Sequence, residues 1–189
     1  MIFEVIVTTV DEQDVVHVAP MGIRYIDDFV VIAPFKPSQT LLNLETTGAA
    51  VVNITDDVRI YAGCITGRTD WPTRPATHTK GRVLEAAINH QELEVRKVVD
   101  DDLRPKIYLS QVHCSSTKLF PGFNRAQAAV IEAAILVSRL HMLPEEKINA
   151  EMAYLQIAID KTAGPRELEA WQWLNDAIDD FRSHPTTFN

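Results

Sequence analysis

SQTLLNLETTGAAVVNIT, residues 38–55, contains a short helix and the strand that follows it. Ser38 is a favoured N-cap residue, because its hydroxyl accepts a backbone N–H of the first helical turn. Gly48 stops the helical pattern, since glycine readily adopts the left-handed conformation that follows many helices. The segment AAVVNI is a short apolar run typical of a buried strand. This stretch therefore predicts a capped helix that leads directly into the core of a sheet.

Strand patterns dominate the chain on both sides of this stretch. Three runs rich in β-branched residues precede it, FEVIVTTV, VVHVAPMGI and FVVIAPF, and turn residues separate them. A hairpin is predicted further on, from HQELEVRKVV, the turn DDDLRP and KIYLSQVHCSS, because apolar residues alternate in both arms. Residues 59–66 are predicted to add another short strand. These runs together predict an antiparallel meander.

The apolar period becomes helical after Pro121 and Gly122. Asn124 is the predicted N-cap of the first helix, with Gln127 as its capping-box partner. A second helix is expected from Pro144 to Gly164, and a third follows at once. The predicted inward positions are Ala126, Ala129, Val130, Ala133, Val137 and Leu140, then Ile148, Met152, Leu155 and Ile159, then Leu168, Trp171, Leu174, Ile178 and Phe181.

These patterns predict an α+β protein with two parts. Residues 1–120 are expected to form a mostly β domain, and residues 121–189 a helical C-terminal subdomain. The 189 residues are 46% apolar and 23% charged, as in ordinary globular proteins. A net charge of -8 argues against a broad nucleic-acid interface, although a few gathered cations could still bind a small anion.

Cysteine usage and the N-terminus indicate a cytoplasmic protein without a membrane segment. Cys64 and Cys114 are the two cysteines, and their spacing fits neither a metal site nor a disulfide framework. Both are predicted to be ordinary packed thiols. MIFEVIVTTV lacks a basic n-region and is predicted to be the first strand rather than a signal peptide.

The familiar linear signatures of catalysis are absent from the sequence. The six histidines show no metal-ligand spacing, so no metal site is predicted. The chain also has no GxSxG, Walker or GxGxxG motif. Hydrolytic and nucleoside-triphosphate chemistry are therefore not indicated, and no catalytic residue is predicted.

Two predicted helix N-termini have the properties of anion sites. The first turn of a helix has unpaired N–H groups and the positive end of the helix dipole. Residues 38–40 add hydroxyl and amide groups to one such turn, with Arg24 and Lys36 near it in sequence. Asn124 and Arg125 begin the other, where a guanidinium could hold a phosphate. Simple capping by Ser38 and plain solvent exposure of Arg125 remain alternatives.

The segment GRTDWPTRPATHTKGR, residues 67–82, is predicted to be a long basic loop. Arg68, Arg74, Lys80 and Arg82 stand in it against Asp70 alone. The loop is either a solvated connection or a lid that faces an anionic ligand, since long ordered loops are often functional.

Several of these segments resemble the flavin reductase-like, FMN-binding split β-barrel superfamily when they are taken in order. They are APMGI at 19–23, PF at 34–35, the pattern S.T..NL at 38–44 and TGAAVVNITDD at 47–57. The later FPGFNRAQAAVIEAAI at 120–135 is similar to an archaeal and bacterial family of FMN-binding proteins whose split barrel precedes a helical C-terminal subdomain.

The resemblance implies a six-stranded, Greek-key type barrel and a homodimer that holds FMN at the subunit interface. It implies phosphate or ribityl contacts from Ser38, Thr40 and Asn43, and an isoalloxazine ring near residues 21–23, where Gly22 would permit close backbone approach. The candidate cofactor-binding residues are Met21, Gly22, Ile23, Arg24, Ser38, Thr40, Asn43, Asn124 and Arg125.

The resemblance supports FMN binding more directly than it supports any one reaction. The first hypothesis is an FMN-dependent oxidoreductase of the flavin reductase type that acts on an unidentified small molecule. Arg74, His78 and Lys80 are the candidate substrate residues, for an anionic nicotinamide-type or pterin-type partner. The alternatives are an FMN-binding protein without turnover of its own and a cofactor-free dimer that recruits a protein partner.

Overall fold

The computed structural model describes residues 1–184, and the chain divides into two compact units. The barrel unit comprises residues 1–56 and 69–120. The helical unit comprises residues 57–68 together with residues 121–184. Among the described residues, no helix has both the length and the apolar character needed to cross a membrane.

Six strands of the barrel unit close into an antiparallel barrel, which confirms the predicted fold. They are β1 (Phe3–Val10), β2 (Val16–Ile26), β3 (Phe29–Ile32), β4 (Ala49–Ile54), β7 (Asn89–Val99) and β8 (Lys106–Ser116). The order around the barrel is β1, β2, β3, β8, β7, β4. Helix α1 (Gln39–Thr47) connects β3 to β4. Two short strands, β5 (Thr73–Pro75) and β6 (Arg82–Leu84), form a separate hairpin.

Alternate residues of the barrel strands form its interior. The core also includes Leu41 and Leu44 of α1, so the helix is anchored to the barrel by its apolar face. Burial of each such leucine contributes about 1.5–3 kcal/mol. The strand residues of this core are Val5, Val7, Ile23, Val30, Ile32, Ala50, Val52, Leu93, Ile107 and Leu109.

Helix α1 has the predicted caps at both ends. Ser38 is extended, with φ -156°, and its hydroxyl oxygen accepts the Leu41 N–H at 3.3 Å. Gly48 lies in the left-handed region, with φ 68°, and its N–H donates to the carbonyl of Leu44 at 3.0 Å. Strand β4 starts at the next residue. Both signals in the sequence are therefore confirmed.

The β5–β6 hairpin is tied by polar side chains to the outer faces of β1 and β4. Asn53 accepts the Leu84 N–H at 2.9 Å and donates to the Thr8 hydroxyl at 3.1 Å. Thr8 in turn donates to the carbonyl of Arg82. The prediction of an irregular loop over 67–82 is therefore wrong at residues 73–75 and 82, which pair as strands.

The helical unit contains four α-helices and a short 3-10 turn among the described residues. The helices are α2 (Arg59–Ile65), α3 (Arg125–Val137), α4 (Glu145–Thr162) and α5 (Pro165–Ser183), and the turn is Leu140–Met142. The prediction of a strand over 59–66 is wrong, because this segment is helical. Its residues Ile60, Tyr61 and Ala62 are buried, and α2 packs against α3 and α5.

Most predicted inward positions of the three long helices are buried or half-buried, but Leu168 is 53% exposed.

Gln127 does not complete a capping box, since its side-chain amide donates to Glu167 at 3.1 Å. The other carboxylate oxygen of Glu167 accepts the N–H of Gly164 at 2.9 Å and so caps α5. The prediction that both thiols are packed is wrong for Cys114, which is exposed, whereas Cys64 is half-buried.

Candidate functional site

The N-terminus of α1 borders a groove of about 540 Å³. The Nζ of Lys36 donates to the carboxylate of Asp100 at 3.1 Å, and this hydrogen bond raises the pKa of Lys36. The side chain of Lys36 is 44% exposed and that of Asp100 is 82% exposed, so the cation is accessible to solvent. The residues that line the groove are Lys36, Pro37, Ser38, Gln39, Leu41, Leu42 and Glu45.

Thr40 and Asn43 lie on the buried side of α1. Thr40 is 3% exposed and Asn43 is 1% exposed. The amide nitrogen of Asn43 donates to the Thr9 hydroxyl at 3.0 Å, and its oxygen accepts from Gln39 at 2.7 Å. Asn43 therefore fastens the helix to β1. Ser38 differs from both, because it is half-buried and lines the groove.

Residues 21–24 lie within β2, where they alternate between the two faces of the sheet. Met21 packs against the barrel core and Ile23 is fully buried in it. Gly22 pairs with Glu4, and a Cβ at Gly22 would come within 2.8 Å of Cγ2 of Ile2. A side chain at position 22 would therefore collide with Ile2 in the N-terminal segment. Contact of these residues with a flavin ring stays a prediction.

The cations of segment 67–82 do not form one basic cluster. Arg68 belongs to the helical unit, where its guanidinium lies 4.0 Å from the ring centroid of Trp173. Arg82 forms an ion pair with Asp14 at 3.6 Å. Lys80 lines a second groove of about 490 Å³ in the barrel unit, together with Thr47, Gly48, Ala49, Thr77, His78, Thr79, Glu94 and Val95.

A buried carboxylate organises the loop at this second groove. Glu92 is fully buried on β7. One of its oxygens accepts the Thr77 N–H at 2.9 Å, and the other accepts the N–H groups of His78 and Thr79. Burial alone would raise the pKa of Glu92, but these three hydrogen bonds hold it below the ordinary value. The ionised carboxylate of Glu92 therefore holds residues 77–79 in place through their backbone N–H groups.

Two histidines flank this carboxylate. His90 is 2% exposed, and its Nε2 lies 3.6 Å from Oε1 of Glu92, beyond hydrogen-bonding distance. Burial, and next the positive charge of Arg74, lower the pKa of His90. His113 is half-buried and directly opposite Glu92 in the β7–β8 pairing. The spacing of His90, Glu92 and His113 along the sequence does not predict this cluster. His113 reaches the other two residues only because it lies opposite Glu92 in the pairing of β7 with β8.

Asn124 and Arg125 begin α3 in the helical unit, whereas the other candidate residues belong to the barrel unit. The oxygen of Asn124 accepts the N–H groups of Ala126 and Gln127, and its amide nitrogen donates to the carbonyl of Thr162. Asn124 therefore stabilises the helical unit itself. Arg125 is exposed in the first turn of α3 and presents its guanidinium to solvent.

The closed, six-stranded antiparallel barrel, with the capped helix between β3 and β4, has the fold expected of a split β-barrel protein. The chain belongs to the DUF447 family, because it matches both domains of that family. Residues 3–118 match the part described as "Protein of unknown function (DUF447) N-terminal domain". Residues 124–176 match the part described as "Protein of unknown function (DUF447)".

Solved structures share this fold. An FMN-bound DUF447 protein from Methanosarcina mazei matches with a TM-score of 0.79 and 22% identity, over 93% of this chain and 94% of that one. The 2-nitrobenzoate 2-nitroreductase of Pseudomonas fluorescens matches with a TM-score of 0.54 and 19% identity, over 60% and 64% of the two chains. Component B of a nitrilotriacetate monooxygenase from Mycobacterium thermoresistibile matches with a TM-score of 0.53 and 19% identity, over 62% and 71%.

Proposed function

We propose that this protein binds FMN and acts as an oxidoreductase of the flavin reductase type on a small molecule. The observation that carries the proposal is the match, along almost the whole chain, to an FMN-bound member of the same family. Bound FMN would supply the redox chemistry, and the residues of the chain would bind and orient it.

The N-terminus of α1 fits the phosphate end of such a cofactor. The helix dipole and the first-turn N–H groups favour an anion there. Ser38 adds a hydroxyl beside the groove, and Lys36 adds an exposed positive charge. Thr40 and Asn43 lie on the side of α1 that is buried against the barrel. We therefore assign them the role of positioning α1 rather than of contacting the phosphate.

The remaining candidate residues are proposals with separate roles. Met21, Gly22, Ile23 and Arg24 would lie near the flavin ring, and the exposed guanidinium of Arg125 would bind an anionic group. Asn124 would hold the start of α3, since both the oxygen and the nitrogen of its side-chain amide already make hydrogen bonds within the helical unit. The groove at His78 and Lys80 is the proposed entry of an anionic second substrate. Arg74 lies on β5 and does not line this groove, so its contact with the substrate stays a prediction.

A homodimer is proposed from exposed aromatic residues of the barrel unit. Phe3 is 44% exposed and Tyr25 is 48% exposed, and their rings contact edge-on with centroids 5.7 Å apart. Ile2 and Ile26 are also exposed at the ends of the same two paired strands. Large apolar and aromatic side chains grouped at a surface are typical of protein interfaces.

The phosphate assignment is tested by comparing FMN with riboflavin, which lacks the phosphate. We expect Ser38→Ala to weaken FMN binding about 10- to 150-fold, because a hydrogen bond to a charged group contributes about 1.5–3 kcal/mol. Riboflavin binding should change little. Flavin fluorescence quenching measures both affinities, and Ser138→Ala, at an exposed helix end, is the matched control.

Each outcome of this comparison has a distinct meaning. Equal weakening of FMN and riboflavin would show that Ser38 acts only as a helix cap, which contradicts the phosphate assignment. A wild-type protein that binds neither flavin would overturn the proposed function. Anaerobic mixing of the FMN-loaded protein with reduced nicotinamides then tests turnover, since loss of the flavin absorbance is expected for an oxidoreductase and not for a passive carrier.

A further inference from the structure

His90 is a buried histidine whose ring has no hydrogen-bonding partner among the described residues. It is 2% exposed, and both Nδ1 and Nε2 are buried without a partner. Leaving a buried polar atom unsatisfied costs about 1–3 kcal/mol. Packing alone therefore does not account for a histidine at this position, where an apolar residue would avoid that cost.

The pairing of β7 with β8 places two further side chains, those of Glu92 and His113, close to the ring of His90. Glu92 lies two residues after His90, so both side chains are on one face of β7. His113 lies directly opposite Glu92 in the antiparallel pairing, and directly opposed side chains share a face. One ligand atom from each of the three residues lies within 4.8 Å of the other two.

The distances suit ligands of a common cation better than hydrogen-bonded partners. Nε2 of His90 and Oε1 of Glu92 are 3.6 Å apart, which is too long for a hydrogen bond. Bonds of ~2.0–2.2 Å to a tetrahedral zinc ion place two ligand atoms about 3.3–3.6 Å apart. The ligand atom of His113 lies within 4.8 Å of the other two, so metal binding would require the half-buried His113 ring to move closer to them.

We propose that His90, Glu92 and His113 form a binding site for a divalent transition-metal cation. Two imidazoles and one carboxylate favour Zn²⁺ and similar cations over Mg²⁺ and Ca²⁺, which prefer oxygen ligands. Oε1 of Glu92 accepts one N–H, from Thr77, and so retains a lone pair for a metal. The proposed metal site does not depend on FMN binding, because none of its three ligands is among the residues assigned to FMN.

Neighbouring groups would orient the ligands. Oε2 of Glu92 accepts the backbone N–H groups of His78 and Thr79, which is the kind of outer-shell support that fixes a metal-binding carboxylate. The ring of His78 lies against that of His113, with centroids 4.3 Å apart. Cys114, the next residue on β8, is exposed and points to the other face, so it is not a ligand.

The test is a titration of the tag-free, full-length, metal-stripped protein with Co²⁺, whose visible absorption reports coordination, and with Zn²⁺ by calorimetry. We expect one equivalent of each metal to bind, and Zn²⁺ to displace Co²⁺. His113→Asn should weaken binding by about 100-fold or more, since even loss of an outer-shell partner costs about 10–100-fold. His90→Gln should have a similar effect. His141→Asn is the matched control, because His141 is exposed in the helical unit.

Saturable binding to the wild-type protein that is lost in the His113 and His90 variants, but kept in the His141 variant, would support the site. Circular dichroism must show that the variants are folded, and a rise in melting temperature with Zn²⁺ in the wild type alone is a second readout. Absence of saturable binding to the wild type would overturn the proposal. Equal binding by a folded His113→Asn or His90→Gln variant would overturn it as well.

Discussion

At the scale of single residues, Gly48 shows how one position joins two elements. Its φ of 68° ends α1, and its carbonyl accepts the Val95 N–H at 2.8 Å, next to the start of β4. A Cβ at this position would meet nothing within 4 Å. The requirement for glycine is therefore conformational rather than steric.

We expect Gly48→Ala to lower the free energy of unfolding by about 1–2 kcal/mol, because left-handed backbone is costly for residues with a Cβ. Gly48→Asn should lose less, since asparagine tolerates this conformation. Urea unfolding followed by circular dichroism measures both variants. An alanine variant as stable as the wild type would show that the turn can be rebuilt without left-handed backbone.

At the scale of elements, α2 shows where reasoning from sequence failed. VRIYAGCIT is rich in residues that favour strands, and the hydrogen-bonding role of Asp57 cannot be seen in a linear pattern. In the structure, Asp57 accepts the N–H of Arg59 at 3.3 Å and binds its guanidinium through Nε at 2.8 Å and Nη2 at 2.6 Å. Packing of α2 on α3 and α5 then overrides the local preference.

We expect Asp57→Asn to destabilise the helical unit by about 2 kcal/mol at neutral pH, since a buried, bidentate, charge-assisted pair is lost. Burial opposes ionisation of Asp57, but the Arg59 hydrogen bonds lower its pKa. The contribution is therefore complete above the unfolded pKa and disappears as the pH falls through the lower folded pKa.

The measurement is urea unfolding of wild type and Asp57→Asn at pH 7 and again in acid. The difference in unfolding free energy should shrink below pH ~4, the ordinary pKa region of aspartate. Asp179→Asn is the matched control, because Asp179 is 75% exposed and its ion pair with Arg182 contributes at most about 1 kcal/mol. A pH-independent difference would contradict the proposed role of the ionised carboxylate.

Local signals predicted α1, the β7–β8 hairpin and α3 to α5 well, because caps, alternation and helical period act over a few residues. The β5–β6 pair was missed, since three-residue strands have too short a period to detect. The His90, Glu92 and His113 group was also missed, because it depends on the register between two strands. Ser38 was a visible candidate, whereas the burial of Thr40 and Asn43 follows from the way α1 packs on the barrel.

At the scale of the whole molecule, the proposed dimer can be tested through Phe3. We expect Phe3→Lys to reduce the mass in light scattering from twice 21.2 kDa to 21.2 kDa, because a charge would be placed among the exposed apolar residues. Tyr154→Lys is the control, since Tyr154 is a 73% exposed aromatic residue of α4. A wild-type protein that is monomeric would contradict the dimer proposal.

The division of the helical unit between two separate stretches of chain has a consequence for its synthesis. Residues 57–68 leave the ribosome before β5 to β8, but the helices that bury Ile60, Tyr61 and Ala62 come only after residue 121. The apolar face of α2 is therefore uncovered while β7 and β8, two of the six barrel strands, are still being translated. A fragment ended at residue 120 would keep that face uncovered permanently. The barrel is therefore best expressed together with the helices that follow residue 120, although the chain divides into two compact units.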